Sequence, residues 1–259
     1  MVFAGIDIGS LSAEAVLLRE GNILAYAIMP TGANSRTAAE KVLDAALTKA
    51  AVAGEDIIAI VATGYGRVSV PFATRQVTEI SCHARGVAHL FPDARTVIDI
   101  GGQDSKVIRM APGGKVLDFA MNDKCAAGTG RFLEVMARAL EVDLETLAGL
   151  ALKARKAAAI SSMCTVFAES EVVSLIARGT SREEIAHGLC NAVAERTANL
   201  VHRVGLAPPV VMTGGVAKNA GVVRAIENKL GERLLLPPEP QITGALGAAL
   251  LAQSAVNKR

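Results

Sequence analysis

Gly5-Ile6-Asp7-Ile8-Gly9-Ser10-Leu11-Ser12-Ala13-Glu14-Ala15-Val16-Leu17-Leu18 is echoed later in the chain by Val97-Ile98-Asp99-Ile100-Gly101-Gly102-Gln103-Asp104-Ser105-Lys106-Val107-Ile108-Arg109-Met110, with Asp7 matching Asp99. In each copy an apolar strand runs into Asp-Ile-Gly, a tight turn follows, and a second strand leads through another turn into a third. Those second turns are Glu20-Gly21-Asn22 and Gly113-Gly114-Lys115, followed by Ile23-Leu24 and Val116-Leu117. A three-stranded meander is therefore expected twice, as a duplicated unit.

Outward from the first meander, residues 35–52 carry Ala39, Val42, Leu43, Ala46 and Leu47 at helical spacing, and 56–62 form a β-rich run ending in Thr63-Gly64-Tyr65-Gly66. After the second, helices dominate 130–206. A strand at 209–212 then meets Thr213-Gly214-Gly215-Val216, and a Gly-Ala-rich helix covers 243–253. No Pro/Ser-rich linker separates the halves. The expectation is an α/β chain of two duplicated domains packed around a cleft. Residues 1–93, completed by a C-terminal helix at about 244–259, form the first, and 94–243 the second, with the boundary near 91–95.

With 51% hydrophobic and 20% charged residues among 259, the chain can bury a large core. Lys plus Arg total 27 against 25 Asp plus Glu, and a net charge of +2 gives no reason to expect nucleic acid or an anionic membrane as partner. Aromatic residues are 3% with no Trp, which removes the usual base-stacking surfaces. No apolar run approaches the roughly 18–20 residues of a membrane span, and the N-terminus lacks signal-peptide regions, so the chain is read as cytoplasmic. In that reducing compartment Cys82, Cys125, Cys164 and Cys190 are expected to serve as metal ligands or plain core residues, not disulfides.

Glycine after a strand-ending acid lets backbone N–H groups approach a phosphate, while the Asp can hold its Mg²⁺ directly or through water. One Asp-Ile-Gly is more often a mere turn. Two at matching points of a duplicated hairpin, plus Thr213-Gly214-Gly215, point to a nucleotide. Neither a P-loop nor a dinucleotide-binding glycine motif is present. On these segments nearly the whole chain resembles the actin-like ATPase superfamily, of ribonuclease H-like fold. The resemblance implies ATP/ADP and Mg²⁺ as ligands. It makes Asp7, Gly9, Ser10, Leu11 and Ser12 the first phosphate loop, and Asp99, Gly101, Gly102, Gln103 and Asp104 the second. Gly128 and Gly130 are assigned to the nucleotide as well. Gly214, Gly215, Val216, Lys218 and Asn219 would form the adenosine loop, and 241–245, with Gln241 and Gly244, would complete the purine pocket. Gln103 or Asp104 would orient the hydrolytic water or its metal, and the sequence does not choose between them.

Cys125, in Asn122-Asp123-Lys124-Cys125, precedes a helix with Phe132, Leu133, Met136 and Leu140 on one face. Cys164, in Ser161-Ser162-Met163-Cys164, precedes one carrying Val172, Val173, Leu175 and Ile176. Helix N-termini favour negative charge, which suits thiolates on an Fe–S cluster. A [4Fe-4S] cluster normally takes four thiolates, yet no Cys-x-x-Cys occurs, and from spacing alone each cysteine reads more readily as a small apolar residue than as a ligand. A C₂ dimer donating two thiolates from each subunit would complete the set. Cys82, beside His83, and Cys190, near Leu189 and Val193, read as core.

DIGGQDSK (99–106), NDKCAAGTGRFLE (122–134), ISSMCTVFAESEV (160–172) and TGGVAKN (213–219) together resemble the ATP-dependent activators of 2-hydroxyacyl-CoA dehydratases, the Fe–S reductase components of the BadF/BadG/BcrA/BcrD type. The resemblance implies a homodimer sharing one [4Fe-4S] cluster on Cys125 and Cys164 of each subunit. It implies loading by reduced ferredoxin or flavodoxin, and ATP-gated delivery of one electron to a dehydratase or reductase. Competing readings are a small-molecule kinase on the same scaffold, a benzoyl-CoA-reductase-type or double-cluster-protein reductase component, and a nucleotide-sensing assembly protein with structural cysteines. One departure stands out. Family members often carry Ser-Thr-x-Ser-Lys after the first Asp-x-Gly, whereas Ser10-Leu11-Ser12-Ala13-Glu14 puts Glu14 in place of the lysine. Glu14 either faces the polyphosphate and repels it, leaving Lys106 as the cation, or is a solvent-facing strand residue.

Overall fold

The computed structural model describes residues 1–160 and 164–256. Strands β1 (Val2–Ile8), β2 (Ser12–Arg19) and β3 (Asn22–Pro30) form the first antiparallel meander. Helix α1 (Ser35–Ala50) then crosses to β4 (Ile57–Thr63), parallel to β1, and β5 (Arg75–Gln76) completes a five-stranded sheet of order β3-β2-β1-β4-β5. Helix α2 (Glu79–Leu90) leads to the second meander, β6 (Thr96–Ile100), β7 (Ser105–Ala111) and β8 (Lys115–Asn122). Its crossover carries α3 (Gly130–Ala139), α4 (Leu144–Lys153), α5 (Thr165–Ala177) and α6 (Arg182–Val204). The chain returns through β9 (Val210–Thr213), α7 (Ala220–Leu230) and β10 (Leu234–Leu235) to a second sheet, β10-β9-β6-β7-β8, and ends in α8 (Thr243–Val256). The two sheets have the same strand order, so the duplication foreseen for the meanders extends over whole sheets. This is the duplicated actin-like arrangement.

Both central strands, β1 and β6, are buried along their whole length because helices cover both sheet faces. On the first sheet Ala39, Val42 and Ala46 of α1 pack one face, and Ala245, Ala248, Ala249 and Leu250 of α8 pack the other. The second sheet is covered by α3 and α6 on one side, through Phe132, Leu133, Leu189 and Val193. On its other side lie Ile80, Ala84 and Val87 of α2. Sequence placed α2 within the first unit. Its apolar face is packed on the second sheet, because the residues at helical spacing meet Val97, Ile108 and Met110 there.

Helices α2 and α8 pack against each other between the sheets, at a spacing that demands glycine. A Cβ at Gly247 would overlap the Cys82 carbonyl, and one at Gly86 would overlap that of Thr243. Gly5 of β1 gives the same clearance to Ala245 of α8. This explains the Gly-Ala richness of the C-terminal helix.

Helix α1 stops at Ala50 because Ala51 turns left-handed at φ 51°. The two-residue strands β5 and β10 were not foreseen, since so short a segment carries no alternation. Cys82 and Cys190 are fully buried as expected, and burial pushes both thiols up to about 12.

Candidate functional site

The central strand of each sheet ends in its Asp-Ile-Gly, and at both places the hairpin closes the same way. Gly9 N–H donates to Ser12 O at 2.9 Å, and Gly101 N–H to Asp104 O at 3.0 Å. The parallel neighbour ends in Thr-Gly both times, with Thr63 in register with Asp7 and Thr213 with Asp99. Gly64 (φ 82°) and Gly214 (φ 83°) turn left-handed, and a Cβ on either would strike the carbonyl of Ile8 or Ile100. Two matching turns thus face each other across a cavity of about 790 Å³, at the carboxyl ends of parallel strands where α/β sheets bind ligands.

Its floor is a buried charge network. His83 of α2 lies between the two acids, Nδ1 3.5 Å from Asp99 Oδ1 and Nε2 3.9 Å from Asp7 Oδ2. Thr213 Oγ1 donates to Asp99 Oδ1 at 2.9 Å, and Lys106 Nζ reaches Asp99 Oδ2 at 3.2 Å and Asp104 Oδ2 at 2.7 Å. Burial pushes the Asp7 carboxyl up to about 6 against the pull of His83. Burial also works against ionised Asp99, but His83, Lys106 and Thr213 outweigh it and hold the carboxyl below its ordinary value. Burial opposes the Lys106 charge, and Asp99 and Asp104 overcome it, raising its pKa. Glu14 lines the cavity at 4% exposure, its carboxyl raised well above the usual range by burial and by Asp7.

On the far side, residues 215–218 form a 3₁₀ turn ahead of α7, whose N-cap Asn219 accepts from Val222 N–H at 3.0 Å. The other half of that amide, Nδ2, is buried without a partner on the wall of the cavity. Glu239 joins the 215–218 turn to the segment at Gln241: it accepts from Lys218 Nζ at 2.9 Å and from Gln241 N–H at 3.1 Å. Residues of α4 close the wall opposite.

Cys164 is the N-cap of α5 and is exposed, whereas Cys125 is half-buried, four residues ahead of Thr129, the N-cap of α3. Neither forms a disulfide. Helices α3 and α5, which follow Cys125 and Cys164, pack together. Asn122 Nδ2 donates to Cys125 O at 2.8 Å, fixing that loop. The first amides of α3 point at the second Asp-Ile-Gly turn: Gly130 N–H donates to Gly101 O at 2.9 Å and Arg131 N–H to Gly102 O at 2.8 Å. Among the described residues no three His, Cys, Asp or Glu side chains are grouped to hold a metal ion within one chain.

The sequence profile of the BadF/BadG/BcrA/BcrD ATPase family matches residues 4–252. The chain belongs to that family. Within it, the activator of lactoyl-CoA dehydratase of Anaerotignum propionicum is 52% identical over 260 residues, covering 100% of both chains. The (R)-2-hydroxyglutaryl-CoA dehydratase activating ATPase of Acidaminococcus fermentans is 48% identical over 96% of this chain and 95% of that protein. The activator of the 2-hydroxyisocaproyl-CoA dehydratase from Clostridium difficile, solved with bound ADPNP, superimposes with a TM-score of 0.95 at 46% identity, over 100% of this chain and 96% of that one.

In this family member the cavity is lined by Asp7, Gly9, Ser10, Leu11, Ser12, Asp99, Gly101, Gly102, Gln103, Asp104 and Gly130, and on the far side by Gly214, Gly215, Val216, Lys218, Asn219 and Gln241. Two assigned glycines lie outside its lining. Gly128 (φ 84°) backs onto Arg196, and Gly244 packs behind the Asp7 carboxylate, where a Cβ would overlap it. Glu14 as a solvent-facing residue is a further correction: both faces of the first sheet are covered, so no position on β2 opposite Asp7 reaches solvent. Ser161, Ser162 and Met163 of the second cysteine segment, and residues 257–259 of the C-terminal stretch, lie outside the described residues. Glu79, His83 and the α4 wall had no local signal, because they reach the cavity from helices whose sequences read as ordinary amphipathic surfaces. No helix among the described residues is long and apolar enough to cross a membrane.

Proposed function

We propose that this chain is an ATP-dependent one-electron donor of the cytoplasm, which as a homodimer uses ATP hydrolysis to pass low-potential electrons to a 2-hydroxyacyl-CoA dehydratase or a similar reductase. The observation that carries the reading is the pair of hydrogen bonds from the first turn of α3 to the carbonyls of Gly101 and Gly102. They tie the Cys125 segment to a phosphate turn, so whatever nucleotide does to that turn is transmitted to the cysteine.

The residues fit the groups the reading requires. For ATP/ADP, the glycine turns of both repeats line the cavity, and the orphaned Asn219 Nδ2 is a donor in need of an acceptor. Asp7 and Asp99 are the carboxylates to hold Mg²⁺, with Lys106 as the buried cation beside them. Gln103 is exposed in the cleft, while the Asp104 carboxylate is engaged by Lys106, which leaves Gln103 to orient the attacking water.

For a shared [4Fe-4S] cluster, Cys125 and Cys164 supply two thiols per chain ahead of two helices that pack together, and a second subunit supplies the other two. The face of α5 favours that partner: Ala168 and Val172 are buried in the core, yet Val166, Phe167, Val173 and Ile176 on the same helix are 66%, 68%, 54% and 41% exposed. When bound, the cluster supplies one-electron chemistry at low potential, loaded by a reduced ferredoxin or flavodoxin. Raising an electron by 100 mV costs about 2.3 kcal/mol, so delivery to a very low-potential acceptor requires an energy source. ATP serves as one if the two domains grip it more tightly in the donating arrangement than at rest.

The reading is tested by mixing the reduced protein with a dehydratase and following acceptor reduction. Transfer is expected with ATP and abolished with a non-hydrolysable analogue; transfer at equal rate without nucleotide would contradict it.

A further inference from the structure

Among the described residues one side chain, His83, lies within ion-pair distance of both strand-end acids. It stands near the middle of α2 and is 5% exposed. Its neighbours on the helix face different ways: Ile80, Ala84 and Val87 pack on the second sheet, and Cys82 packs with α8 on the first. Hydrogen bonding fixes how the ring is set. The Thr213 hydroxyl gives its single proton to Asp99 Oδ1 at 2.9 Å, so at the 3.2 Å contact between Thr213 Oγ1 and His83 Nδ1 the ring nitrogen is the donor. Nε2 is thereby turned toward Asp7 Oδ2, 3.9 Å away. The imidazole is anchored to the second repeat and faces the first.

The two repeats differ in a way that gives this ring a task. A row of three residues crosses each sheet at the strand ends: Lys106, Asp99 and Thr213 in the second, Glu14, Asp7 and Thr63 in the first. Asp99 is held within its own row, by Lys106 Nζ at 3.2 Å and Thr213 Oγ1 at 2.9 Å. Asp7 has neither support, because an acid stands where Lys106 stands and Thr63 makes no hydrogen bond to it. Among the described residues His83 is the one group within ion-pair distance of Asp7. Elsewhere the carboxylate is flanked by Gly64 and Gly244, where a Cβ would overlap it. We propose that His83 is a positioning residue: anchored on Thr213, it supplies from α2 the partner that the first repeat lacks, and so holds the Asp7 carboxylate in place opposite Asp99. It acts through the two acids and not on the nucleotide itself. The proposal rests on the reading above, in which Asp7 and Asp99 hold Mg²⁺.

The two ring nitrogens are separable by substitution, since an Asn amide reaches the place of Nδ1 and a Gln amide that of Nε2. The test compares wild type, His83→Asn and His83→Gln in three measurements: steady-state ATP hydrolysis, calorimetric ADP affinity with Mg²⁺ and with EDTA, and melting of the nucleotide-free protein. His83→Asn keeps the anchor and loses the contact to Asp7. It is expected to lower kcat roughly tenfold or more with KM for ATP little changed, and to lose most of the gain in ADP affinity that Mg²⁺ brings. His83→Gln is expected to retain several-fold more of kcat and most of the Mg²⁺ gain, while melting no higher than His83→Asn. Wild-type kcat in His83→Asn, or equal losses in the two variants, would overturn the proposal. ADP that binds wild type no more tightly with Mg²⁺ than with EDTA would instead overturn the reading on which it rests.

Discussion

Asp7 faces Glu14 across β1 and β2, whereas at the matching positions of the second repeat Asp99 faces Lys106. One repeat therefore places two acids at its phosphate turn and the other an acid and a base. Because burial raises Asp7 above its unfolded value of 3.8 to about 6, the folded state holds the extra proton between those pH values, and stability falls as pH rises through that window. The loss is on the order of 3 kcal/mol. Asp7→Asn is expected to remove this slope and melt higher than wild type at pH 8 without nucleotide, while losing ATPase activity; thermal melts from pH 4 to 8 check it. Glu14→Gln, neutral at every pH, is expected to bind ATP at least as tightly as wild type, with an advantage that grows as rising pH ionises the wild-type carboxyl, read from KM. Lys106→Met leaves the buried Asp99 and the half-buried Asp104 without their cation, which costs about 3–5 kcal/mol. A large fall in melting temperature with loss of nucleotide binding is expected. At this scale the sequence was legible for the turn residues, whose glycines and acids follow a repeated pattern. The environment of Glu14 was not, since its burial depends on helices distant in the chain.

Between elements, two contacts set how the molecule works. Gly247 lets α8 approach α2, and any side chain there meets the Cys82 carbonyl, backbone that cannot step aside. Gly247→Val is expected to destabilise by about 1–3 kcal/mol or more, measured by denaturant unfolding. The second contact is the first turn of α3 on the Gly101–Gly102 carbonyls. Proline is tolerated at the first helical position but donates no hydrogen bond. Gly130→Pro is therefore expected to lower the electrons delivered per ATP by more than it lowers ATP hydrolysis. Strands and helices of ordinary length were readable from periodicity. The repeat also held an unused sign: Thr63-Gly64 and Thr213-Gly214 end matching parallel strands, and pairing them would have extended the duplication beyond the meanders.

For the whole molecule, α2 and α8 form one layer between the two sheets, held by close glycine contacts. The two matching turns and the first residue of α3 line one cavity. Sequence alone located the cysteines by likeness to a family, and could not do so by spacing, because on the proposed reading each chain carries only half of the ligand set. The most direct test is iron and sulfide analysis of the anaerobically purified protein with EPR after dithionite reduction, beside Cys125→Ala and Cys164→Ala. About four iron and four sulfide per dimer, with a reduced-cluster signal lost in both variants, is the expected result. A colourless, iron-free wild type indistinguishable from the two variants would contradict it.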